Sequence, residues 1–132
     1  MSTRSNIIVE DKHQRIQLYR HSDGYPNGPH GVVHDLVEAL EYAWESPRFE
    51  ADDFAAAIVR AWKEEPGNIY IDGSPVSWEM IHGDTEWVYV IRDFRVKVYD
   101  WHLYWLDKDD PDTTPPVPIW EGRIGEKYPD TE

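Results

Sequence analysis

The run from 86 to 100, EWVYVIRDFRVKVYD, constrains the fold more than any other part of the chain. Trp87, Tyr89 and Ile91 alternate with Val88 and Val90; after Asp93, Phe94, Val96 and Val98 alternate with Arg95, Lys97 and Tyr99. Successive strand side chains point to opposite faces. The second half therefore reads as apolar on one side and polar on the other, the pattern of an antiparallel sheet with one solvated face. Residues 101–106 (WHLYWL) extend this strand or start another.

Two further strands open the chain, at 6–10 and 15–20, joined by the polar turn Asp11-Lys12-His13-Gln14. A four-residue connection implies an antiparallel hairpin. In the second strand Ile16, Leu18 and Arg20 point one way, and Gln17 and Tyr19 the other. The segment HSDGYPNGPHG (21–31) holds three glycines and two prolines and reads as a loop.

Helical periodicity follows over 32–45, with Val32, Val33, Leu36, Val37, Leu40 and Trp44 on one stripe. Ser46-Pro47 ends it. A second helix spans about 52–64, with Phe54, Ile58 and Trp62 toward the core, and Pro66-Gly67 stops it. Residues 68–72 read as another strand. Each helix has a single apolar stripe to bury. The expected fold class is therefore α+β: a mostly antiparallel β-sheet with two α-helices packed on one face, in the order β-β-α-α-β-β-β. Residues 1–106 form one domain in this reading. Residues 107–132 form an extended, acidic, Pro-rich C-terminal tail without strand or helix periodicity, in which Ile119, Trp120 and Tyr128 are the anchors, folding back onto the domain or, alternatively, docking a partner.

Charge and composition narrow the function. With 13 basic and 26 acidic residues the chain carries a formal charge of -13, which disfavours binding to nucleic acid or to an anionic membrane. The absence of cysteine excludes disulfides, thiolate metal sites and cysteine nucleophiles. No stretch approaches the roughly 20 apolar residues that span a bilayer, and MSTRSNIIVEDK does not read as a signal peptide. The expected location is the cytoplasm. Seven Trp, eight Tyr and three Phe are enough to build much of a small core, or to line a pocket.

Two His–Asp pairs stand at loop–strand junctions: His21 with Asp23, and His82 with Asp84. Brought together they would form a polar cluster, serving as a ligand pocket, a His and carboxylate metal site or an acid–base pair; otherwise each Asp caps its own turn. His30 and His34 are spaced i,i+4, but H-E-x-x-H is absent and a solvated helix face is the simpler account. Arg4, together with Arg20, His21 and Tyr25, could hold an anionic group, since a guanidinium fork suits phosphate or carboxylate. No glycine-rich phosphate loop exists, and His21-Ser22 are adjacent in sequence, a poor nucleophile–base geometry.

Three blocks, Thr3-Arg4-Ser5-Asn6-Ile7, Tyr19-Arg20-His21-Ser22-Asp23-Gly24-Tyr25-Pro26 and Ile81-His82-Gly83-Asp84 followed by an aromatic strand, resemble a family of small, mostly uncharacterised phage- and plasmid-encoded proteins. The resemblance covers roughly residues 2–100 and is specific in those three blocks. It implies a mobile-element origin and no catalytic residues. By analogy with small phage accessory proteins that act by binding, it implies counter-defence: occluding a host defence protein or sequestering a nucleotide immune signal in the host cytoplasm.

The expected function is a non-enzymatic binding protein without a cofactor or bound metal. Its ligand is a small anion such as a nucleotide, or its partner a host protein, and a homo-oligomer is compatible with this reading. Arg4 and Arg20 would pair with anionic groups, His21, Asp23, His82 and Asp84 would hydrogen-bond, and Tyr19, Tyr25 or Trp87 would line or stack on the ligand. Two alternatives remain: a metal-dependent or acid/base hydrolase of a small nucleotide, using His21, Asp23, His82 and Asp84, and an acidic nucleic-acid mimic.

Overall fold

Asp11 shows how the first hairpin is tied to the rest of the molecule. Strands β1 (Ser5–Glu10) and β2 (Arg15–Arg20) pair antiparallel, Ser5 opposite Arg20 and Glu10 opposite Arg15. In the turn between them, Asp11 Oδ1 accepts the N–H groups of His13 (2.7 Å) and Gln14 (2.9 Å). Its Oδ2 accepts the N–H of Ala51 at 2.8 Å. Ala51 opens helix α2 (Ala51–Trp62), whose first N–H groups have no partner within the helix. One carboxylate thus closes the hairpin and caps a helix 40 residues away.

The protein is described by a computed structural model covering residues 3–72, 85–104 and 116–129. After the hairpin come helices α1 (Val32–Ala39) and α2, then strands β3 (Ile69–Ile71), β4 (Trp87–Arg92) and β5 (Arg95–Asp100), a 3-10 turn at Trp101–Tyr104, and strand β6 (Trp120–Arg123). The six strands form one sheet in the order β3-β2-β1-β4-β5-β6. Every pair is antiparallel except β1–β4, which is parallel with Ser5 opposite Trp87. The α+β architecture expected from the sequence is the one observed.

The core lies between the sheet and the two helices. Ile7, Val9, Leu18, Tyr89, Ile91, Val96 and Val98 meet Val32, Val33, Leu36, Phe54, Ile58 and Trp62, as the alternation of the strands and the stripes of the helices require. The sheet's other face is not simply solvated. Arg95 and Lys97 are exposed there, but Tyr19, Gln17 and Asn6 are buried, and Ile8, Val88, Tyr99 and Trp101 form a second apolar cluster. Asn6 and Gln17 both donate to Asp72 Oδ2, at 3.5 and 3.1 Å.

Four local expectations are corrected. Helix α1 ends at Ala39, because Leu40, Glu41 and Tyr42 turn to i−3 bonding; Leu40 and Trp44, past its end, are 37% and 43% exposed, and Val37, beside the buried stripe of Val32, Val33, Leu36 and Ala39, is 42% exposed. Their segment is held from outside: Arg48 stacks on Trp44 at 3.4 Å and Arg60 on Tyr42 at 4.8 Å. Phe94 is not a strand residue. With Asp93 it takes left-handed φ values of 51° and 63°, the backbone of a two-residue hairpin turn that matches strand twist. Its ring is held by Phe49 and Phe54, at 5.0 and 5.9 Å. Residues 101–104 form a 3-10 turn, not a strand. Finally, 120–123, within the stretch expected to lack strands, pair with β5. Trp120 stacks edge-on with Tyr128 at 5.3 Å, and both pack on the core.

Candidate functional site

The parallel β1–β4 pair decides what meets what. It brings the starts of β1 and β4 together, and their antiparallel neighbours add the ends of β2 and β5 and the start of β3: Ile69, Arg20, Ser5, Trp87 and Asp100 stand in one row. Arg4, Tyr19, Arg20, His21, Asp23, Tyr25 and Trp87 therefore gather at one end of the sheet. His82 and Asp84 lie outside the described residues. Thr85 and Glu86, the first described residues after them, are at this same end. Glu86 and Trp87 donate their N–H groups to the Arg4 carbonyl (2.9 and 3.4 Å), Arg4 N–H donates to Glu86 Oε2 (3.1 Å), and the Thr85 hydroxyl donates to Asn6 Oδ1.

Arg20 is the centre of this end. It is 9% exposed. Its Nε donates to the Ser22 carbonyl (2.9 Å), and its Nη2 to the His30 carbonyl (3.0 Å) and to Asp35 Oδ2 (2.8 Å). Its guanidinium lies 4.5 Å from the centre of the Trp62 ring, whose Nε1–H donates to the Asp35 carbonyl at 3.1 Å. One arginine thereby fixes both ends of the 21–31 loop and joins β2 to both helices. Its Nη1 is buried and has no partner among the described residues.

The loop is shaped by close approach. Gly24 N–H donates to the Thr3 carbonyl (2.9 Å), and the buried Tyr89 hydroxyl donates to the Gly24 carbonyl (2.6 Å). A Cβ on Gly24 would stand 2.8 Å from the Thr3 oxygen and 2.9 Å from Ser5 Cβ, so the loop seats only because both residues are small. Asp23 takes a φ of 53° and accepts a 3.3 Å hydrogen bond from Tyr25. Burial and the nearby Asp23 raise the Tyr25 phenol above its ordinary range, and burial raises Tyr89 further. Both hydroxyls stay protonated and act as donors.

Between the end of β2, α1 and α2 lies a cleft of about 340 Å³. Of the residues expected at a site, Arg20 and Asp23 line it; Asp35, Glu38, Trp62, Glu64 and Asn68 were not singled out by sequence reasoning. Asn68 donates to the Trp62 carbonyl (2.7 Å), while its Oδ1 is buried without a partner among the described residues. The cleft is acidic: Arg20 and His30 face Asp23, Asp35, Glu38 and Glu64. Arg20 is already bonded to Asp35, so the guanidinium expected to take an external anion is spent on an internal one.

The remaining expected residues among those described do not line the cleft. His21 is exposed and anchors β3 through its N–H to the Asn68 carbonyl (3.0 Å), with its ring 6.3 Å from that of Tyr19. Tyr19 is on the sheet face away from the cleft, against Tyr70. Trp87 packs on the core and stands edge-on to His102 at 5.9 Å. His102, which sequence reasoning passed over, places Nδ1 2.7 Å from Asp100 Oδ1 and Nε2 3.3 Å from Glu86 Oε1. Together with Glu86 and Arg4 it clamps the ends of β1, β4 and β5. His30 and His34 do not share a site: His30 borders the cleft, and His34 a separate groove with Val33, Val37 and Tyr128. Among the described residues no group of three His, Asp or Glu side chains is arranged to hold a metal ion, and no helix is long and apolar enough to cross a membrane.

Comparison of the chain with protein-family models, with curated proteins and with solved structures finds no match.

Proposed function

We propose that the chain is a non-enzymatic binding protein and that its ligand occupies the Arg20 cleft. The observation that carries this reading is the cleft itself, where Arg20 and His30 stand among Asp23, Asp35, Glu38 and Glu64 beside Trp62 and Asn68. The volume, about 340 Å³, suits a small polar molecule.

Charge selects among such molecules. Asp23, Glu38 and Glu64 have no ion pair among the described residues and disfavour a phosphate, while favouring amino or ammonium donors. The ligand class is therefore a nucleoside-sized molecule with both acceptor and amino groups, held by a base-like edge. Sequestration of a nucleotide signal, the role that resemblance to phage proteins implies, fits this reading when the phosphate points to solvent.

Thermal-shift measurements with nucleosides, cyclic nucleotides and ADP-ribose test it. At least one amino-bearing nucleoside should raise the melting temperature, and Glu38→Lys with Glu64→Lys, both at exposed positions, should abolish the rise without unfolding the protein. No shift across the panel, or a shift unchanged in the double variant, would overturn the assignment.

A further inference from the structure

The sheet's outer face carries a row of like charges. Arg92 stands opposite Arg95, and Arg95 opposite Arg123, on three adjacent strands about 4.8 Å apart. Like charges directly opposite each other destabilise a sheet. Glu10, at the inner end of the row, is 2.7 Å from Arg15 and 3.9 Å from Arg92. Glu121 reaches Arg95 at 3.6 Å, and Arg123 has no ion pair among the described residues. In a chain with a formal charge of -13, this is a local excess of positive charge at the margin of the sheet.

That margin is β6, which among the described residues pairs only with β5, its Arg123 carbonyl also accepting the Glu126 N–H (3.0 Å) in the turn that follows. An unpaired strand edge is a template for another strand. The strand itself, Trp-Glu-Gly-Arg, contains no proline, and the exposed Val117 and Ile119 lead into it. Two-fold antiparallel pairing of β6 with a second copy centres on one residue. Centred on Gly122, it sets Glu121 opposite the second copy's Arg123, and Arg123 opposite the second copy's Glu121. Centred on Glu121, it would oppose glutamate to glutamate. Charge therefore selects the Gly122 register, and in that register each arginine row ends on the carboxylate it lacks.

We infer that this chain forms a two-fold homodimer by antiparallel β6–β6 pairing about Gly122, with reciprocal Glu121–Arg123 contacts. The sheet becomes continuous over twelve strands, counted as two copies of six. The Arg20 cleft lies at the opposite flank of the sheet, beside β2 and β3, so each copy keeps its cleft open.

Sedimentation and native mass spectrometry of the full chain test this, with circular dichroism to verify folding. The wild type should dimerise. Arg123→Glu, which relieves the row within one copy, and Glu121→Arg should each weaken dimerisation by on the order of tenfold or more, because both reciprocal contacts turn repulsive. The Glu121→Arg plus Arg123→Glu variant should restore it. A wild type that stays monomeric at its solubility limit, single variants that dimerise as the wild type does, or a double variant no better than the singles would overturn the assignment.

Discussion

Replacing Arg20 by methionine should destabilise the protein far more than a typical substitution. Methionine keeps apolar volume over Trp62 but removes three hydrogen bonds of 2.8 to 3.0 Å and strands the Asp35 carboxylate, whose side chain is 21% exposed. Breaking a buried ion pair from one side costs about 3–5 kcal/mol. The lost carbonyl bonds and the stacking on Trp62 are not added in full, because contributions that share one side chain are not additive. The expected loss is therefore about 3–5 kcal/mol, a large share of the roughly 5–15 kcal/mol that holds a domain together. Urea unfolding followed by tryptophan fluorescence measures it. Adding Asp35→Leu removes the stranded charge and should recover about 1–2 kcal/mol. A loss below about 1 kcal/mol for Arg20→Met, or a double variant weaker than the single one, would refute the view that this arginine is bound internally.

Three further outcomes follow from the same geometry. Tyr89→Phe removes the buried bond to the Gly24 carbonyl and should cost about 1–3 kcal/mol in the same urea experiment. Gly24→Ala should cost a similar amount, about 1–3 kcal/mol, because the new methyl meets the Thr3 carbonyl and Ser5; pairing it with Ser5→Gly should relieve part of the loss. Asp11 has its carboxyl lowered from 3.8 to about 2, chiefly by the Ala51 N–H against the opposing effect of burial, with His13 and Gln14 adding to it. Since the folded value is the lower one, its stabilisation is complete above pH 3.8 and is lost as pH falls toward 2. Asp11→Asn should therefore be less stable at neutral pH and should lose less than the wild type across that interval, as read by acid titration of the circular dichroism signal.

What the sequence made legible is what depends on local pattern. The 6–10 and 15–20 strands and their polar turn, the stop at Pro66-Gly67, and the alternation of 95–100 all report side-chain periodicity or turn chemistry that acts over a few residues. The split of β2 into Leu18 and Arg20 on one face and Tyr19 on the other follows from the same pleat. What stayed hidden depends on distant partners. Nothing in Trp-Glu-Gly-Arg alternates, so β6 is a strand only because β5 offers it an edge. The parallel β1–β4 pairing has no local signal. Phe94 occupies a left-handed turn position because Phe49 and Phe54 hold its ring, a tertiary override of local preference. At the site, arginine and aspartate were recognisable as charged groups near a loop, but that Arg20 is matched to Asp35 across 15 positions was not. The cleft's far wall, Trp62, Glu64 and Asn68, comes from the end of α2 and the turn into β3, where sequence reading assigned Trp62 to packing and Asn68 to a strand.

The direct test of the Arg20 cleft as a ligand site is an amide and indole NMR titration with the nucleosides of the thermal-shift panel. Binding in the cleft should displace the Trp62 indole N–H, the Asn68 side-chain amide and the backbone signals of residues 21–31, while leaving the turn at Asp93 and Phe94 unmoved. No displaced signal with any nucleoside, or displacements concentrated at that distant turn, would contradict it.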